Sequence, residues 1–138
     1  MKDLILYADG ASRGNPGNAG IGIIIYDNSE KVVKTVNKYI GKATNNVAEY
    51  NAFLTALEEA EKLGAKNIKI FIDSELVFKQ YLGEYKINNE SLKQILIRIR
   101  EKVKSFLSVD VQHILREKNK EADKLANIAI NTFESSLR

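Results

Sequence analysis

Four acidic residues stand at positions where a folded chain could bring their carboxylates together. Asp9 and Asp73 each follow a short apolar run and precede a small residue, so each is predicted at the carboxyl end of a β-strand. Glu49 and Asp123 fall in the first turns of two predicted helices. An acid at any one of these places is common, because it favours a turn or the helix dipole. Four in this arrangement indicate a shared site.

The elements that would position these residues follow the order βββαβααβα. Strands are predicted at 4–9, 21–26, 31–40, 67–73 and 109–115, and helices at 46–63, 74–82, 91–106 and 119–133. The stretch 10–20 carries four glycines and Pro16 and is predicted to be a loop. This order is typical of an α/β fold with a mixed sheet, in which strands 1–3 form an antiparallel meander and strands 4 and 5 run parallel to strand 1.

The chemistry expected of the four carboxylates is metal binding. If strands 1 and 4 are parallel neighbours, Asp9 and Asp73 lie side by side at the edge where α/β sheets place their active sites. Clustered carboxylates repel one another, and divalent cations relieve that repulsion. Two such ions about 4 Å apart can activate water and stabilise the leaving oxygen of a phosphodiester. With no cysteine and one histidine in the chain, oxygen ligands must dominate, which favours Mg²⁺ or Mn²⁺.

Composition sets limits on the class of protein. The chain has 138 residues, of which 44% are hydrophobic and 28% are charged, so we expect residues 1–138 to form one folded domain with its own core. No apolar run reaches the roughly 18 residues that a membrane span requires. The net charge of +3 is a mild bias toward anionic partners and decides nothing alone. A cytoplasmic protein with no membrane association and no obligate protein partner is expected.

Four segments resemble the signature blocks of type I ribonuclease H. They are residues 9–17 (DGASRGNPG), 44–49 (TNNVAE), 73–77 (DSELV) and 119–126 (NKEADKLA), in the family order and within a resemblance that spans residues 4 to about 130. The resemblance implies the ribonuclease H-like five-stranded mixed sheet flanked by helices. It also implies an endonuclease that hydrolyses the RNA strand of RNA–DNA hybrids by a two-metal-ion mechanism.

The resemblance further implies a role for each of the four acids. Asp9, Glu49, Asp73 and Asp123 would be the catalytic residues and the ligands of two Mg²⁺ ions, for which Mn²⁺ can substitute. Asp9 would bridge both ions, whereas Asp73 and Asp123 would each hold one. Glu49 would ligate one ion and help to read the ribose 2′-hydroxyl, the group that distinguishes RNA from DNA.

Substrate-binding residues are implied around these acids. Asn15, Thr44 and Asn45 match residues with which the family holds the DNA phosphate, and Asn45 and Asn46 match residues that face the minor groove. Neutral amides suit this task, since they hold phosphate without adding charge beside the metals. Asn15 and Asn45 could instead be turn and cap residues, or serve in both ways. The full set expected to bind substrate is Gly10, Ala11, Ser12, Asn15, Thr44, Asn45, Asn46 and Ser74.

The chain departs from the common family pattern in three places. Many members carry a mobile histidine in a loop before the last aspartate, but His113 reads as a strand residue, so that loop is predicted to be absent; Arg116, Glu117 or Lys118 could partly fill the vacancy. Only residues 83–90 separate two helices where other members insert a basic handle. Glu75 stands where some relatives have a glutamine that faces the RNA.

Without a handle, a basic face on the helix predicted at 91–106 is what remains to hold the DNA strand. Its candidates are Lys86, Lys93, Arg98, Arg100, Lys102 and Lys104. A charge run on a helix is more often simply solvated. Binding is therefore expected to be weaker and more salt-sensitive than in relatives with a handle.

Two rival functions remain open on sequence alone. One is a nucleic-acid-binding module that has the fold but little or no catalysis, which the presence of all four acids argues against. The other is a DNA-strand-transfer enzyme of the same fold, which the Gly-Asn-Pro-Gly segment at residues 14–17 argues against.

Overall fold

Alternating apolar residues make the first strand the centre of the sheet. Leu4, Leu6 and Ala8 are at most 2% exposed and point to one face of the strand. The computed structural model describes residues 3–138, and residues 1 and 2 lie outside the described part. The strands are β1 (Asp3–Ser12), β2 (Gly17–Asp27), β3 (Val32–Ala43), β4 (Asn67–Ile72) and β5 (Ser108–His113). The helices are α1 (Asn45–Lys62), α2 (Glu75–Tyr81), α3 (Glu90–Val103) and α4 (Lys120–Ser136), with a single 3₁₀ turn at Arg116–Lys118.

The five strands form one mixed sheet in the order β3-β2-β1-β4-β5. Strands β1, β2 and β3 pair antiparallel, while β4 pairs parallel with β1 and β5 pairs parallel with β4. The predicted fold class and strand directions are confirmed.

The two faces of the sheet are covered by different helices. Helices α1 and α3 pack against each other, and α1 also packs against β1 and β2; α4 packs on the same two strands and on β3. Because α4 lies on the face opposite to α1, strand β2 is buried on both faces over Ala19–Ile25. Among the described helices, none combines the length and the apolar character needed to cross a membrane.

Helix boundaries follow from local capping chemistry. Thr44, Ser74 and Asn89 precede α1, α2 and α3, and each side chain accepts a hydrogen bond from a backbone N–H in the first helical turn. At the other end of α1, Gly64 has a φ of +78° and Ala65 donates back to the carbonyl of Ala60 at 3.1 Å. The predicted helix ending before Gly64 is confirmed.

The prediction of a loop over residues 10–20 was wrong, because only residues 13–16 connect the strands β1 and β2. Two of the glycines, Gly10 and Gly20, serve close packing against helices instead of turns. A Cβ on Gly10 would overlap the backbone of Ala48 in α1, and one on Gly20 would lie 2.7 Å from the carbonyl oxygen of Ala126 in α4. Gly14, with a φ of +153°, lies in the short connection that does remain.

Several predicted ends also differ from the observed ones. Helix α3 ends at Val103, three residues before the predicted end, because the chain turns there and buries Phe106 in the core. Strand β5 ends at His113, since its neighbour β4 ends at Ile72 and the parallel register stops there. Helix α4 continues to Ser136, where the prediction stopped at Phe133.

Candidate active site

Three carboxylates meet at the carboxyl end of the parallel strands. One oxygen from each of Asp9, Glu49 and Asp73 lies within 4.8 Å of the others. The register explains the first pair: Tyr7 lies opposite Phe71 in the parallel β1–β4 ladder, and their rings stack with centroids 4.8 Å apart. Two residues further along each strand, on the same face, come Asp9 and Asp73.

Glu49 reaches this pair because α1 lies unusually close to β1. The absence of a side chain on Gly10 admits the backbone of Ala48 and Glu49 against the strand. The backbone N–H of Gly10 then donates to Oε1 of Glu49 at 2.5 Å. Gly10 therefore determines where the Glu49 carboxylate lies, as well as the direction of the chain after Asp9.

Asp123 approaches the site from the opposite face of the sheet. It lies in the first turn of α4, it is not within the three-residue cluster, and its side chain contacts that of Asp9. Nδ2 of Asn127, one helical turn later, donates to the carbonyl and to Oδ1 of Asp123, at 3.0 Å and 3.3 Å. Asp123 is thus tethered beside Asp9.

Burial and crowding change the acidity of the two innermost groups. Asp9 is 7% exposed and Glu49 is 8% exposed. Burial raises the pKa of Asp9 strongly, and the neighbouring Glu49 and Asp73 raise it further. Burial also raises the pKa of Glu49, against hydrogen bonds from Asp9 and the Gly10 N–H and the charge of Arg116, which lower it. Burial and the neighbouring acids therefore favour the neutral form of Asp9 when no cation is bound.

The donor set fits a hard divalent cation. All the candidate ligand atoms are carboxylate oxygens, which Mg²⁺ and Mn²⁺ prefer. Within residues 3–138, the observed ion pairs involve other acids and leave all four of these without a Lys or Arg nitrogen within 4.0 Å. Among the described residues, the clustered acids therefore have no ion-pair partner, and Arg116 is the cation near enough to lower the pKa of Glu49.

The residues expected to hold the DNA phosphate lie together beside the start of α1. Oδ1 of Asn15 accepts from the backbone N–H of Asn45 at 3.3 Å, and Oγ1 of Thr44 caps α1 by accepting from Val47 at 3.2 Å. Asn15 and Asn45 are exposed. The turn interpretation holds for Asn15, which lies in the connection between β1 and β2, whereas the cap interpretation of Asn45 is wrong, because Thr44 caps α1 and Asn45 is its first residue. This arrangement leaves the Asn15 Nδ2 and the Thr44 hydroxyl hydrogen as donors for a ligand.

Two of the expected substrate-binding side chains are engaged within the protein. Oγ of Ser12 donates to the carbonyl of Ala43 at 2.7 Å, which ties the end of β1 to the end of β3. Oγ of Ser74 accepts from Val77 at 3.2 Å and caps α2. Ala11 and Asn46 are half-buried near the same edge of the sheet.

His113 lies at the end of β5, as predicted for a strand residue. It pairs with Ile72, and its ring stacks on Phe78 of α2 at 5.7 Å. Ile72 is buried on the face opposite to Asp73, so His113 packs away from the carboxylates. Residues 114–119 then lead directly to α4, and the exposed Arg116 is near enough to lower the pKa of Glu49.

The proposed basic face of α3 is partly used within the protein. Lys102 pairs with Glu61 at 2.6 Å, Arg98 lies 3.7 Å from Glu58, and Arg100 donates to the carbonyl of Tyr81 at 3.1 Å. These contacts hold α3 to α1 and α2. Residues 82–89 alone connect α2 to α3, so the predicted absence of a handle is confirmed.

Sequence reasoning assigned no role to two asparagines that contact the acids. Asn119 donates to Asp73, and Asn127 donates to Asp123. Asn127 lies one turn after Asp123 on α4, a spacing that puts two residues on one helix face and could have indicated the contact. Asn119 gives a weaker indication, because an asparagine before a helix is normally its cap.

Comparison with known proteins identifies the family. A family model described as reverse transcriptase-like matches residues 7–129. Ribonuclease HI of Halobacterium salinarum is 41% identical over 125 residues, which are 91% of this chain and 63% of the relative. The crystal structure of RNase H1 from the same archaeon superposes with a TM-score of 0.92 at 39% identity, covering 94% of this chain and 98% of that one.

A second solved structure contains nucleic acid. LC11-RNase H1, isolated from compost, was solved in complex with an RNA/DNA hybrid; it is 39% identical, with a TM-score of 0.87 over 94% of this chain and 97% of that one. The chain spans only 37% of the length of its mycobacterial relatives and 63% of the Halobacterium one. The ribonuclease H of Clostridium botulinum is 30% identical, and the match covers 99% of it. By sequence, fold and the arrangement of its acids, the chain belongs to the ribonuclease H family.

Proposed function

We propose that this protein is a metal-dependent endonuclease that hydrolyses the RNA strand of RNA–DNA hybrids. The observation that carries the proposal is the meeting of Asp9, Glu49 and Asp73 within 4.8 Å, with no Lys or Arg nitrogen of residues 3–138 within 4.0 Å of these acids. A structural cluster of this kind would lower stability, because burial and mutual repulsion both disfavour the ionised carboxylates. A site that exists to bind cations accounts for that cost.

Two Mg²⁺ ions, or Mn²⁺ in their place, are the proposed cofactors. Asp9, Glu49, Asp73 and Asp123 would hold them. When bound, the ions would supply positive charge that activates water and stabilises the leaving oxygen of the phosphodiester. Because these acids are buried, they lie in an environment of low dielectric constant. Their attraction for a divalent cation is stronger there than it would be in water.

The chain's own groups would orient the hybrid across the edge of the sheet. Asn15 and Thr44 supply neutral donors for a phosphate of the DNA strand, next to the N-terminus of α1, which favours anions. Glu49 would sit near the ribose and distinguish the RNA strand by its 2′-hydroxyl. The remaining residues proposed to contact substrate are Gly10, Ala11, Ser12, Asn45, Asn46 and Ser74.

Cleavage of defined duplexes tests the proposal. End-labelled RNA–DNA hybrid, RNA–RNA duplex and DNA duplex of one sequence would be incubated with the protein and Mg²⁺, Mn²⁺ or EDTA. We expect internal cuts in the RNA strand of the hybrid with either metal and none in EDTA. Absence of cuts with both metals, at a protein concentration that binds the hybrid, would favour the non-catalytic binding module.

Cellular location and assembly stay predictions from the sequence. Cell fractionation with an antibody to the protein would test the expected cytoplasmic location. Size-exclusion chromatography coupled to light scattering would test whether the protein acts without an obligate partner.

A further inference from the structure

Asn119 occupies the N-cap position of α4 without capping the helix. Thr44, Ser74 and Asn89 at the other three helix starts each accept a backbone N–H with a side-chain oxygen. The side chain of Asn119 makes no such bond, and its φ and ψ of −119° and 31° differ from the extended geometry of the others. A residue type that normally stabilises a helix start is therefore used for something else.

The amide of Asn119 instead reaches into the carboxylate site. Its Nδ2 donates to Oδ2 of Asp73 at 2.8 Å and to the backbone carbonyl of Ala8, the residue before Asp9, at 2.9 Å. Because the two hydrogens of an amide nitrogen lie in one plane, these two acceptors fix the rotation of the side chain. The carbonyl of Asn119 also accepts the N–H of Asp123 at 3.1 Å.

The other end of this amide is left unpaired. Asn119 is 1% exposed, and its Oδ1 has no hydrogen-bond partner among the described residues. A buried acceptor without a partner lowers stability, and native proteins contain few of them. Folding stability alone thus does not explain this side chain, whereas a task at the carboxylate site does.

We propose that Asn119 is a positioning residue that holds Asp73 in register with Asp9 and Asp123. The inference rests on the proposed function, since it assigns to Asn119 the alignment of the same metal-binding acids. The amide fixes Oδ2 of Asp73, and an oxygen of the same carboxylate lies within 4.8 Å of those of Asp9 and Glu49. The residue joins β1, the end of β4 and the start of α4, which carry three of the four acids.

The chemistry requires an amide at this position. An aspartate would have almost the same shape but would present an oxygen to Asp73, so attraction would become repulsion. A hydrogen bond to a charged acceptor is also stronger than one between neutral groups. Partners of this kind around metal ligands commonly change metal affinity or activity 10- to 100-fold when removed.

The experiment measures metal binding separately from cleavage. Mn²⁺ alone is titrated by calorimetry into the full chain, wild type and Asn119→Ala, and kcat and KM for the hybrid are measured at saturating Mn²⁺. We expect about tenfold weaker Mn²⁺ binding and at least about a tenfold lower kcat, with KM for the hybrid within about twofold. In an Asp73→Ala background, Asn119→Ala should cause no further loss of Mn²⁺ affinity, because the two residues act as one unit.

Two further variants separate positioning from folding. Asn119→Asp keeps the volume and Oδ1 but loses the donor, and it should lower kcat by at least about tenfold even where Asn119→Ala fails to fold. Gln80→Ala removes another buried amide, which links Tyr50 to the carbonyl of Lys86 away from the acids. This control should lower the melting temperature and leave Mn²⁺ affinity unchanged.

The outcomes distinguish this inference from the proposed function. Wild-type kcat and Mn²⁺ affinity in both Asn119 variants, together with an inactive Asp73→Asn, would overturn the positioning role and leave the nuclease standing. If Asp73→Asn were itself active, Asp73 would not be an essential ligand, and the positioning role of Asn119 would fail with it. If the wild type did not cut the hybrid, the proposed function would fail, and the Mn²⁺ titration of Asn119→Ala would still decide the positioning role.

Discussion

At the scale of single residues, the carboxylate cluster is a place where function opposes stability. Asp9 and Glu49 are nearly buried and adjacent to Asp73. Without a cation, such groups keep a proton or repel one another. Substitutions here should therefore separate activity from stability, which substitutions in an ordinary hydrophobic core do not.

The first prediction follows for the metal ligands. Asp9→Asn or Asp73→Asn should reduce hybrid cleavage to less than about a tenth of wild type at saturating metal, because each removes a ligand charge. The melting temperature in EDTA should be unchanged or higher. The exposed Asp110 within β5 provides a control, and Asp110→Asn should retain activity. An Asp73→Asn variant with most of its activity left would exclude the proposed two-metal site.

The second prediction concerns pH. Folding raises the pKa of Asp9 above its ordinary value of 3.8. The neutral carboxyl therefore contributes fully to the free energy of unfolding below pH 3.8, and this contribution is lost as the pH rises toward the pKa of the folded state. In EDTA, the free energy of unfolding should fall between pH 4 and pH 8, by at most about 1.4 kcal/mol per pH unit for one proton.

Denaturant titrations at several pH values measure that slope. Asp9→Asn should flatten it, whereas a substitution of an exposed acid on α3, Glu101→Gln, should leave it as in wild type. Stability that rises with pH in EDTA, with the same slope in Asp9→Asn, would contradict the raised pKa of Asp9.

His113 supplies the third prediction. Its ring lies against Phe78 at the end of β5, so His113→Ala should lower stability by roughly 0.5–1.5 kcal/mol through lost ring contact. Turnover of the hybrid should stay within about twofold of wild type. Steady-state kinetics and thermal melting check the two parts, and a large fall in turnover at an unchanged melting temperature would assign His113 a catalytic role.

At the scale of elements, periodicity predicted the order and direction of the strands, and the start of α1, because these depend on local alternation and capping. Residues 10–20 were misassigned because glycine marks both turns and sites of close packing. Only the tertiary structure shows that Gly10 faces α1 and that Gly20 faces α4. The role of Asn119 was equally inaccessible, since its two acceptors lie 46 and 111 residues away along the chain.

The fourth prediction tests the packing of α4 on β2. A Cβ on Gly22 would lie 2.5 Å from the backbone nitrogen of Ala126 and 2.7 Å from Cβ of Leu125, so Gly22→Ala must displace the helix. We expect a loss of about 1–3 kcal/mol, as for other overpacked sites, and lower activity because α4 carries Asp123.

Gly64→Ala provides the matched control for Gly22→Ala. Nothing lies within 4 Å of its added Cβ, but its φ of +78° is strained for alanine. It should cost about 1–2 kcal/mol and leave the activity of the folded protein unchanged. Equal effects of the two variants on cleavage would show that the position of α4 does not control the site.

At the scale of the whole molecule, the proposed contacts with the hybrid fall into two groups, the acids and the neutral donors. The acids meet at the carboxyl ends of β1 and β4, and the neutral donors of Asn15 and Thr44 lie beside the start of α1. Since two α3 cations, Arg98 and Lys102, pair with acids of α1, part of the basic surface of α3 is engaged within the protein. The phosphate donors near α1 therefore carry more of the expected selectivity.

The last prediction is that the cut strand must carry several consecutive 2′-hydroxyls, while the opposite strand must be DNA. The first requirement follows from the proposed recognition of ribose near the scissile phosphate by Glu49 and neighbouring backbone groups. The second follows from the donors at Asn15 and Thr44, which suit a backbone able to distort toward B-form geometry. RNA resists that distortion because its 2′-hydroxyl favours the A-form sugar pucker. At low salt, in Mg²⁺ and in Mn²⁺, RNA–DNA hybrid should be cut at least about tenfold faster than RNA–RNA duplex.

Asn15→Ala separates the two requirements. It should raise KM for the hybrid and reduce the ratio of the cleavage rate of the hybrid to that of the RNA–RNA duplex. The kcat at saturating substrate should change little, because the substitution leaves the acids in place. Single ribonucleotides placed in a DNA duplex should resist cleavage by both proteins. Comparable cleavage of hybrid and RNA–RNA duplex by the wild type would refute the proposed role of the Asn15 and Thr44 donors. It would leave the proposed metal site intact, since the carboxylates are proposed to contact the cut strand and not its complement.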